Sequence, residues 1–336
     1  MPSQQDVAKL AKVSFMTVSR VINNNPNVTK ATRERVLKAI KELSYYPNAA
    51  ARALNSNKSR NVGIIFPRKD YFFVAPFCME LCFEVESRLK PKGYNLFLGS
   101  MTKGSESREL TAMFREGKVD GLILFAPRIG EEEIKMLADD HMPFVVVHGR
   151  SAGKEFSYVD SDNAKGTSLI LRYLFDLGHR RIGFVSGDIG EMNSMDRYRR
   201  YRRELKAKGL PFDKRLVFFG DWSLESGHAA FRYLIEQKER PTAIFFSNDQ
   251  MAIGAIKAAE ELGVRIPDDV SITGYDDIKY ASFTVPALTT VRQNIGAVGD
   301  KVAELILDTI EGKGEFRKII LEPELVVRSS CCRPVD

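Results

Sequence analysis

Five side chains at the start of one short stretch, Phe15, Met16, Thr17, Ser19 and Arg20, have the types and spacing to read a double helix. Helical periodicity gathers Val18, Val21 and Ile22 into one buried stripe. It leaves the five near an exposed N-terminal end, the part of a recognition helix that meets base edges. A guanidinium such as Arg20 can make two parallel hydrogen bonds to guanine, whereas Phe15 and Met16 offer apolar surface, for instance to a thymine methyl. Core packing is the other reading of those two. A second candidate is Trp222, the only tryptophan, in Gly220-Asp221-Trp222-Ser223 between an expected strand and an expected helix. An indole there is either a plate for the apolar face of a pyranose or a base, or a piece of core. Catalytic motifs are missing: the chain has no GxxxxGK[ST] phosphate loop, no HExxH, no GxSxG and no ligand spacing among its 4 histidines and 4 cysteines. No enzyme activity, metal or cofactor is expected, and Cys78, Cys82, Cys331 and Cys332 read as free thiols.

A small helical scaffold must hold the five reading side chains, and the first residues supply one. Gln4 to Ala11 carries Val7, Ala8 and Ala11 at helical spacing; Val13-Ser14 breaks it, and Ser14 caps a second helix running through Asn23. After Asn23-Asn24-Asn25-Pro26, Thr29 caps a third helix on which Val36, Leu37, Ile40 and Leu43 face the core, until Tyr45-Tyr46-Pro47 stops it. Charge is concentrated in the same place. Residues 1–60 hold 11 Lys and Arg against 3 Asp and Glu, net +8, while residues 61–336 hold 39 against 41, net −2. A basic head on a near-neutral body is the footprint of a polyanion partner, since Lys and Arg neutralise phosphates and release counterions. A solvated basic surface is the plainer reading. The stretch Asn48–Asn55 has helix propensity but few large apolar residues, so it is either a conditional helix or a linker.

The remaining length is ample for two further compact lobes. The chain has 336 residues, 44% apolar and 28% charged, an ordinary globular composition. No apolar run approaches the ~20 residues that span a bilayer, and the start lacks a cationic stretch followed by an apolar core. No membrane partner and a cytoplasmic location are expected. From Asn61 onward short apolar runs alternate with amphipathic segments: Val62–Phe66, Tyr94–Leu98, Gly121–Phe125 and Pro143–Val147, then Ile182–Val185, Val217–Phe219, Ala243–Phe246 and Val270–Thr273. The pattern occurs twice and predicts two doubly wound parallel α/β lobes, which bind ligands beyond their C-terminal strand ends.

The block QDVAKLAKVSFMTVSRVINNNPNVTKATRERVLKAIKELSYYPNAAARAL within residues 5–60 resembles the DNA-binding head and hinge of LacI/GalR-family transcription regulators, and the resemblance runs to the end of the chain. It implies that Ser14, Thr17, Ser19 and Asn23 hold phosphates while Phe15, Met16 and Arg20 read the major groove. It also implies that a hinge helix containing Ala51 and Leu54 forms on DNA, with Leu54 wedged into the minor groove. The body resembles a periplasmic-binding-protein fold reused as a sensor. By the same resemblance Val291–Leu321 returns to the first lobe and the final segment to the second. Ser247-Asn248-Asp249-Gln250-Met251-Ala252 and the run from Gly263 to Asp277 carry the strongest likeness. They imply that Asn248 and Asp276 bond ligand hydroxyls, that Thr289-Thr290-Val291-Arg292-Gln293 brings Gln293 to the cleft, and that Arg197 donates to ligand oxygens. The glycine that usually follows that arginine by three residues is Arg200 here. Arg150 also stands at a strand end, Asp160 and Asp162 read as structural, and Tyr71, Phe72 and Phe73 replace the family's usual Asn-Pro-Phe as an aromatic wall.

The expected organisation is therefore a three-helix helix-turn-helix head over 1–46, a hinge and linker over 47–60, and a two-lobed doubly wound α/β core over 61–336. Lobe one takes about 61–160 and 291–322, lobe two about 161–290 and 323–336. The expected function is a repressor that binds a pseudo-palindromic double-stranded operator as a homodimer. A small molecule between the lobes, by its neutral amides, carboxylate, arginine and aromatic plate a sugar, switches it. A dimer rather than a tetramer is expected, because no leucine heptads follow the last sheet segment. A phosphorylated sugar, drawn by Arg199, Arg200, Arg202 and Arg203, or a corepressor of the opposite sign, is the alternative.

Overall fold

A computed structural model describes residues 2–22, 25–45, 58–66, 76–100, 106–125, 131–150, 156–313 and 315–334. The chain divides into two compact units, Met1–Arg60 and Asn61–Asp336. In the first, α1 (Gln4–Ala11) opens with a capping box in which Ser3 and Asp6 satisfy each other's backbone N–H. The second helix, α2 (Phe15–Ile22), starts where Thr17 N donates to Ser14 Oγ at 3.2 Å, and α3 (Lys30–Glu42) where Thr32 N donates to Thr29 Oγ1 at 3.4 Å. Their shared core is Val7, Ala8, Ala11, Val18, Val21, Val36 and Ala39, with Ile22, Ile40 and Leu43 packed against it. Leu37 departs from the sequence expectation, being 51% exposed. The buried stripe of α3 centres on Val36, Ala39, Ile40 and Leu43, and Leu37 lies one step, about 100°, round the helix from Val36.

The second unit contains two parallel sheets. The first uses β1 (Asn61–Phe66), β2 (Asn95–Ser100), β3 (Gly121–Phe125), β4 (Phe144–Val147), β5 (Ser157–Ser161) and a late strand, β11 (Lys318–Leu321). Their order is β11-β5-β4-β3-β1-β2, every neighbouring pair parallel. The second uses β6 (Ile182–Ser186), β7 (Val217–Phe219), β8 (Ala243–Phe246) and β9 (Ser271–Thr273) in the order β7-β6-β8-β9, again parallel. A two-stranded antiparallel ribbon of β10 (Thr290–Arg292) and β12 (Glu324–Val326) joins the second sheet by isolated bridges at Thr273–Thr289 and Asp276–Arg292.

Eight of these strands lie within a residue or two of the apolar runs read from the sequence; β5, β10, β11 and β12 are not among those runs, polar residues such as Asp160, Arg292, Lys318 and Glu324 standing beside their few apolar ones. Helices α4 (Pro76–Leu89), α5 (Glu106–Arg115), α6 (Glu131–Asp139) and α11 (Ile295–Ile310) belong to the first lobe. The second lobe has α7 (Asn163–Leu177), α8 (Met192–Ala207), α9 (Leu224–Ile235) and α10 (Asp249–Leu262). The order reverses beside β1 in one sheet and beside β6 in the other. At such switch points the loops leaving the C-terminal strand ends part and open a crevice.

Candidate functional site

In the head the expected DNA readers Phe15 and Met16 open α2, whereas Arg20 falls in its last turn rather than near the N-terminal end. Phe15 is 50% and Met16 63% exposed, so neither serves the core, and Ser14 and Arg20 are exposed as well. Thr17 and Ser19 are half-buried, and Ser14 Oγ and Thr17 Oγ1 lie 2.9 Å apart. The other end of α2 is braced by Arg33, whose guanidinium donates to Asn25 O at 2.7 Å and to Val21 O at 3.4 Å. A tethered helix presenting two apolar tips and a guanidinium is equipped for a groove rather than for a solvated surface. Asn23, Ala51 and Leu54 lie outside the described residues, as do Tyr71, Phe72 and Phe73.

In the second unit the C-terminal strand ends face a cleft between the two sheets. Arg197, Trp222, Asn248, Asp276 and Gln293 all line it. Arg197, on α8, is 2% exposed. Its Nε donates to Asn163 Oδ1 at 2.8 Å, its Nη1 bonds Ser247 O, and its guanidinium lies 3.6 Å from the centroid of the Tyr275 ring. Gly166 makes room beneath that ring, since a Cβ there would fall 2.2 Å from the Tyr275 hydroxyl. Trp222 is 6% exposed and both lines the cleft and belongs to the core. Its indole lies over Gly187, where a Cβ would come within 2.2 Å, and its Nε1 donates to Glu191 Oε2 at 3.0 Å. Asn248 caps α10 by accepting from Met251 N at 2.9 Å and donates to Trp222 O at 3.0 Å, so each end of its amide retains one bonding position for a ligand.

Several lining groups were not singled out from the sequence. Phe77 and Phe125 supply the described aromatic wall of the first lobe, and Glu191, Asn193, Gln250 and His148 add polar groups. Phe125 and His148 stand at the ends of β3 and β4, where the strand-end rule could have found them. Three lining residues, His148 (φ 56°), Trp222 (φ 74°) and Asp276 (φ 124°), hold left-handed backbone conformations, the kind of local strain that clusters at functional sites. His148 Nδ1 and Asp160 Oδ1 are 3.2 Å apart, while His148 Nε2 and Gln293 Oε1 are buried without a partner. Arg150 does not line the cleft: its guanidinium is held by Asp160 and Asp196. Asp162 caps α7 through Lys165 N. Of the cationic cluster on α8, Arg200 is held by Ser168 and Glu204, Arg202 packs over Phe212, and Arg199 and Arg203 are exposed away from the lining.

Two buried carboxylates set the electrostatics. Burial pushes Asp276 from the ordinary 3.8 up to about 7, against the opposing pull of the Arg197 guanidinium and the Gln293 amide, which donates to Asp276 Oδ1 at 2.6 Å. Burial, and then the charge of Asp276, push Asp249 up as well, although Thr290 and Ile278 N donate to it. Because folding raises the Asp276 pKa, its contribution to stability is full below about pH 4 and is lost as pH rises to about 7. Asp276→Asn, which removes the buried charge, is therefore expected to raise Tm by several degrees at pH 8 and by less at pH 5.5. Thermal unfolding followed by circular dichroism at the two pH values checks this, and equal shifts would refute it.

Comparison with known proteins gives consistent matches over the whole chain. Residues 4–48 match the family described as bacterial regulatory proteins, lacI family, and residues 171–331 the periplasmic binding protein-like domain. The chain is 37% identical over 334 residues to the HTH-type transcriptional repressor PurR of Photorhabdus laumondii, covering 98% of this chain and 97% of the relative. Among solved structures, the transcriptional regulator CelR–cellobiose complex superposes with TM-score 0.75 at 33% identity, covering 98% of this chain and 100% of that one. The lac repressor dimer bound to operator and the anti-inducer ONPF superposes with TM-score 0.85 at 27% identity, covering 98% and 99%.

Proposed function

This chain belongs to the LacI family of DNA-binding transcription regulators, and from that premise we propose that it is a homodimeric repressor whose grip on a pseudo-palindromic operator is set by a neutral sugar bound in the cleft. The observation that carries the choice of ligand is the pair of buried, unpartnered side-chain atoms among the described residues of the cleft wall, His148 Nε2 and Gln293 Oε1. Both are acceptors awaiting a donor, and the Glu191 carboxylate can only accept. Among the described residues the one lining guanidinium, Arg197, is anchored on Asn163 through Nε and on Ser247 through Nη1, which leaves its Nη2 donors for a ligand oxygen. Hydroxyl groups are the donors such a wall calls for, because a buried acceptor left unpaired costs about 1–3 kcal/mol. A phosphate ester brings negative charge towards Glu191 and Asp276, and the arginines that would offset it lie elsewhere on α8. Trp222, Phe77 and Phe125 suit the apolar faces of a pyranose. The cellobiose held by the relative CelR supports the same class.

On this reading the two recognition helices of the dimer enter successive major grooves, about one turn apart, and Leu54 wedges the minor groove between them. Ligand changes the closure of the lobes and with it the separation of the two hinges, so the hinge helices lose their DNA contacts. Reciprocity requires operator DNA to weaken the ligand by the same factor. A thermal-shift panel of neutral mono- and disaccharides, their phosphate esters and free nucleobases tests the assignment. A neutral sugar at a hundredfold excess over its Kd is expected to add about 2.7 kcal/mol of stability. Stabilisation by an ester or a nucleobase, with none by any neutral sugar, would overturn it.

A further inference from the structure

We propose that Arg150 is a latch across the cleft: anchored on Asp160 in its own lobe, it grips Asp196 in the other and holds the two lobes closed. The inference rests on the cleft being the effector site and adds how its closure is set. Arg150 follows β4 of the first lobe, and Asp160 lies in the adjacent strand β5. Asp196 is carried on α8, which packs on α7 and β6 of the second lobe. The guanidinium bridges them, with Nε 2.9 Å from Asp160 Oδ2 and Nη2 on Asp196.

The two carboxylates differ in a way that makes one an anchor and the other a catch. Asp160 has 1% of its side chain exposed and is fixed from its other oxygen by Ser161 N at 2.8 Å and by His148 Nδ1 at 3.2 Å. Its charge is buried and needs Arg150 whatever the lobes do. Asp196 has 22% of its side chain exposed and Arg150 32%, so each can return to water when α8 moves away. Breaking the second contact therefore costs little enough for opening to remain possible, while making it favours the closed form. Another polar tie across the lobes, Lys279 N to Glu80 Oε1 at 3.4 Å, is long and involves a neutral donor. Because Asp160 also holds His148, which lines the cleft, the latch and the ligand wall share one carboxylate.

Trp222 gives a reading of closure that needs no ligand, being the only tryptophan and 6% exposed on the second-lobe wall. Acrylamide quenching of the ligand-free full chain is expected to rise at least about twofold in Asp196→Asn and in Arg150→Gln. The double variant should be no more quenched than the stronger single one, since both remove the same contact. Asp213→Asn, which loosens an ion pair with Arg181 at a distance from the cleft lining, serves as the matched control and should leave quenching unchanged. Unchanged quenching in Asp196→Asn, an additive double variant, or an equal rise in the control at matched loss of Tm would each overturn the latch. None of these outcomes depends on a sugar binding, so failure of the sugar assignment and failure of the latch are read separately.

Discussion

A chain that begins at Asn61 is expected to lose specific operator binding by a factor of about 10³ or more while retaining its cleft. The side chains proposed to read the groove, Phe15, Met16 and Arg20, are removed with the head, and so is all the net positive charge: the first 60 residues carry +8 and the remainder −2. What remains is therefore weakened for random duplex as well, because non-specific attraction comes from neutralised phosphates. The cut leaves β1 intact, since Asn61 is its first residue and falls at the boundary between the two compact units. Fluorescence anisotropy on an operator selected from random duplexes checks both losses, and a sugar-binding titration checks that the cleft survives. In the full chain, log affinity should fall with log salt at a slope near −0.9 per phosphate contacted. Specific binding retained by the truncated chain would refute the assignment of the head.

Arg197→Ala is expected to damage the sensor and the fold together. Loss of a charge-assisted donor to the ligand should raise the ligand needed for response ~10- to 150-fold. The side chain also bonds Asn163 Oδ1 and Ser247 O and stacks on Tyr275, so its removal leaves two buried acceptors and an aromatic face without their partner. Each orphaned acceptor costs about 1–3 kcal/mol. At roughly 2–4 °C per kcal/mol for a domain of this class, Tm should fall on the order of 10 °C. The opposing pull that restrains Asp276 disappears as well, so its pKa should rise further. Isothermal titration with the sugar found in the panel, beside a melting curve, separates the two effects. A normal Tm with weakened binding would show that Arg197 serves the ligand alone, and the converse would show that it serves only the fold.

Much of the head was legible because its signals are local. Ser14 and Thr29 cap helices through residues three positions on, and the apolar stripe of α2 recurs at helical spacing. Leu37 was misread because it adjoins the stripe of α3 without being part of it, a difference of one helical step that apolarity alone does not show. The buried strands were equally plain as unbroken apolar runs. The ribbon strand Thr290–Arg292, with one apolar residue between two polar ones, carries no such run and is a strand because a distant partner pairs with it.

The sequence by itself determined a basic helix-turn-helix head, a twice-repeated α/β body and the absence of known catalytic motifs, all properties of composition, short-range periodicity and local spacing. Only the tertiary structure decided what the polar residues of the cleft do. Trp222 is at once core and wall because Glu191 and Gly187 reach it from another loop. Asp276 is driven upward because the fold buries it, and Arg150 leaves the lining because Asp196, 46 positions along the chain, claims its guanidinium. The physical reason is range: a side chain's charge state and direction depend on which groups the folded chain brings within a few ångströms, and no pattern of neighbouring residues records those.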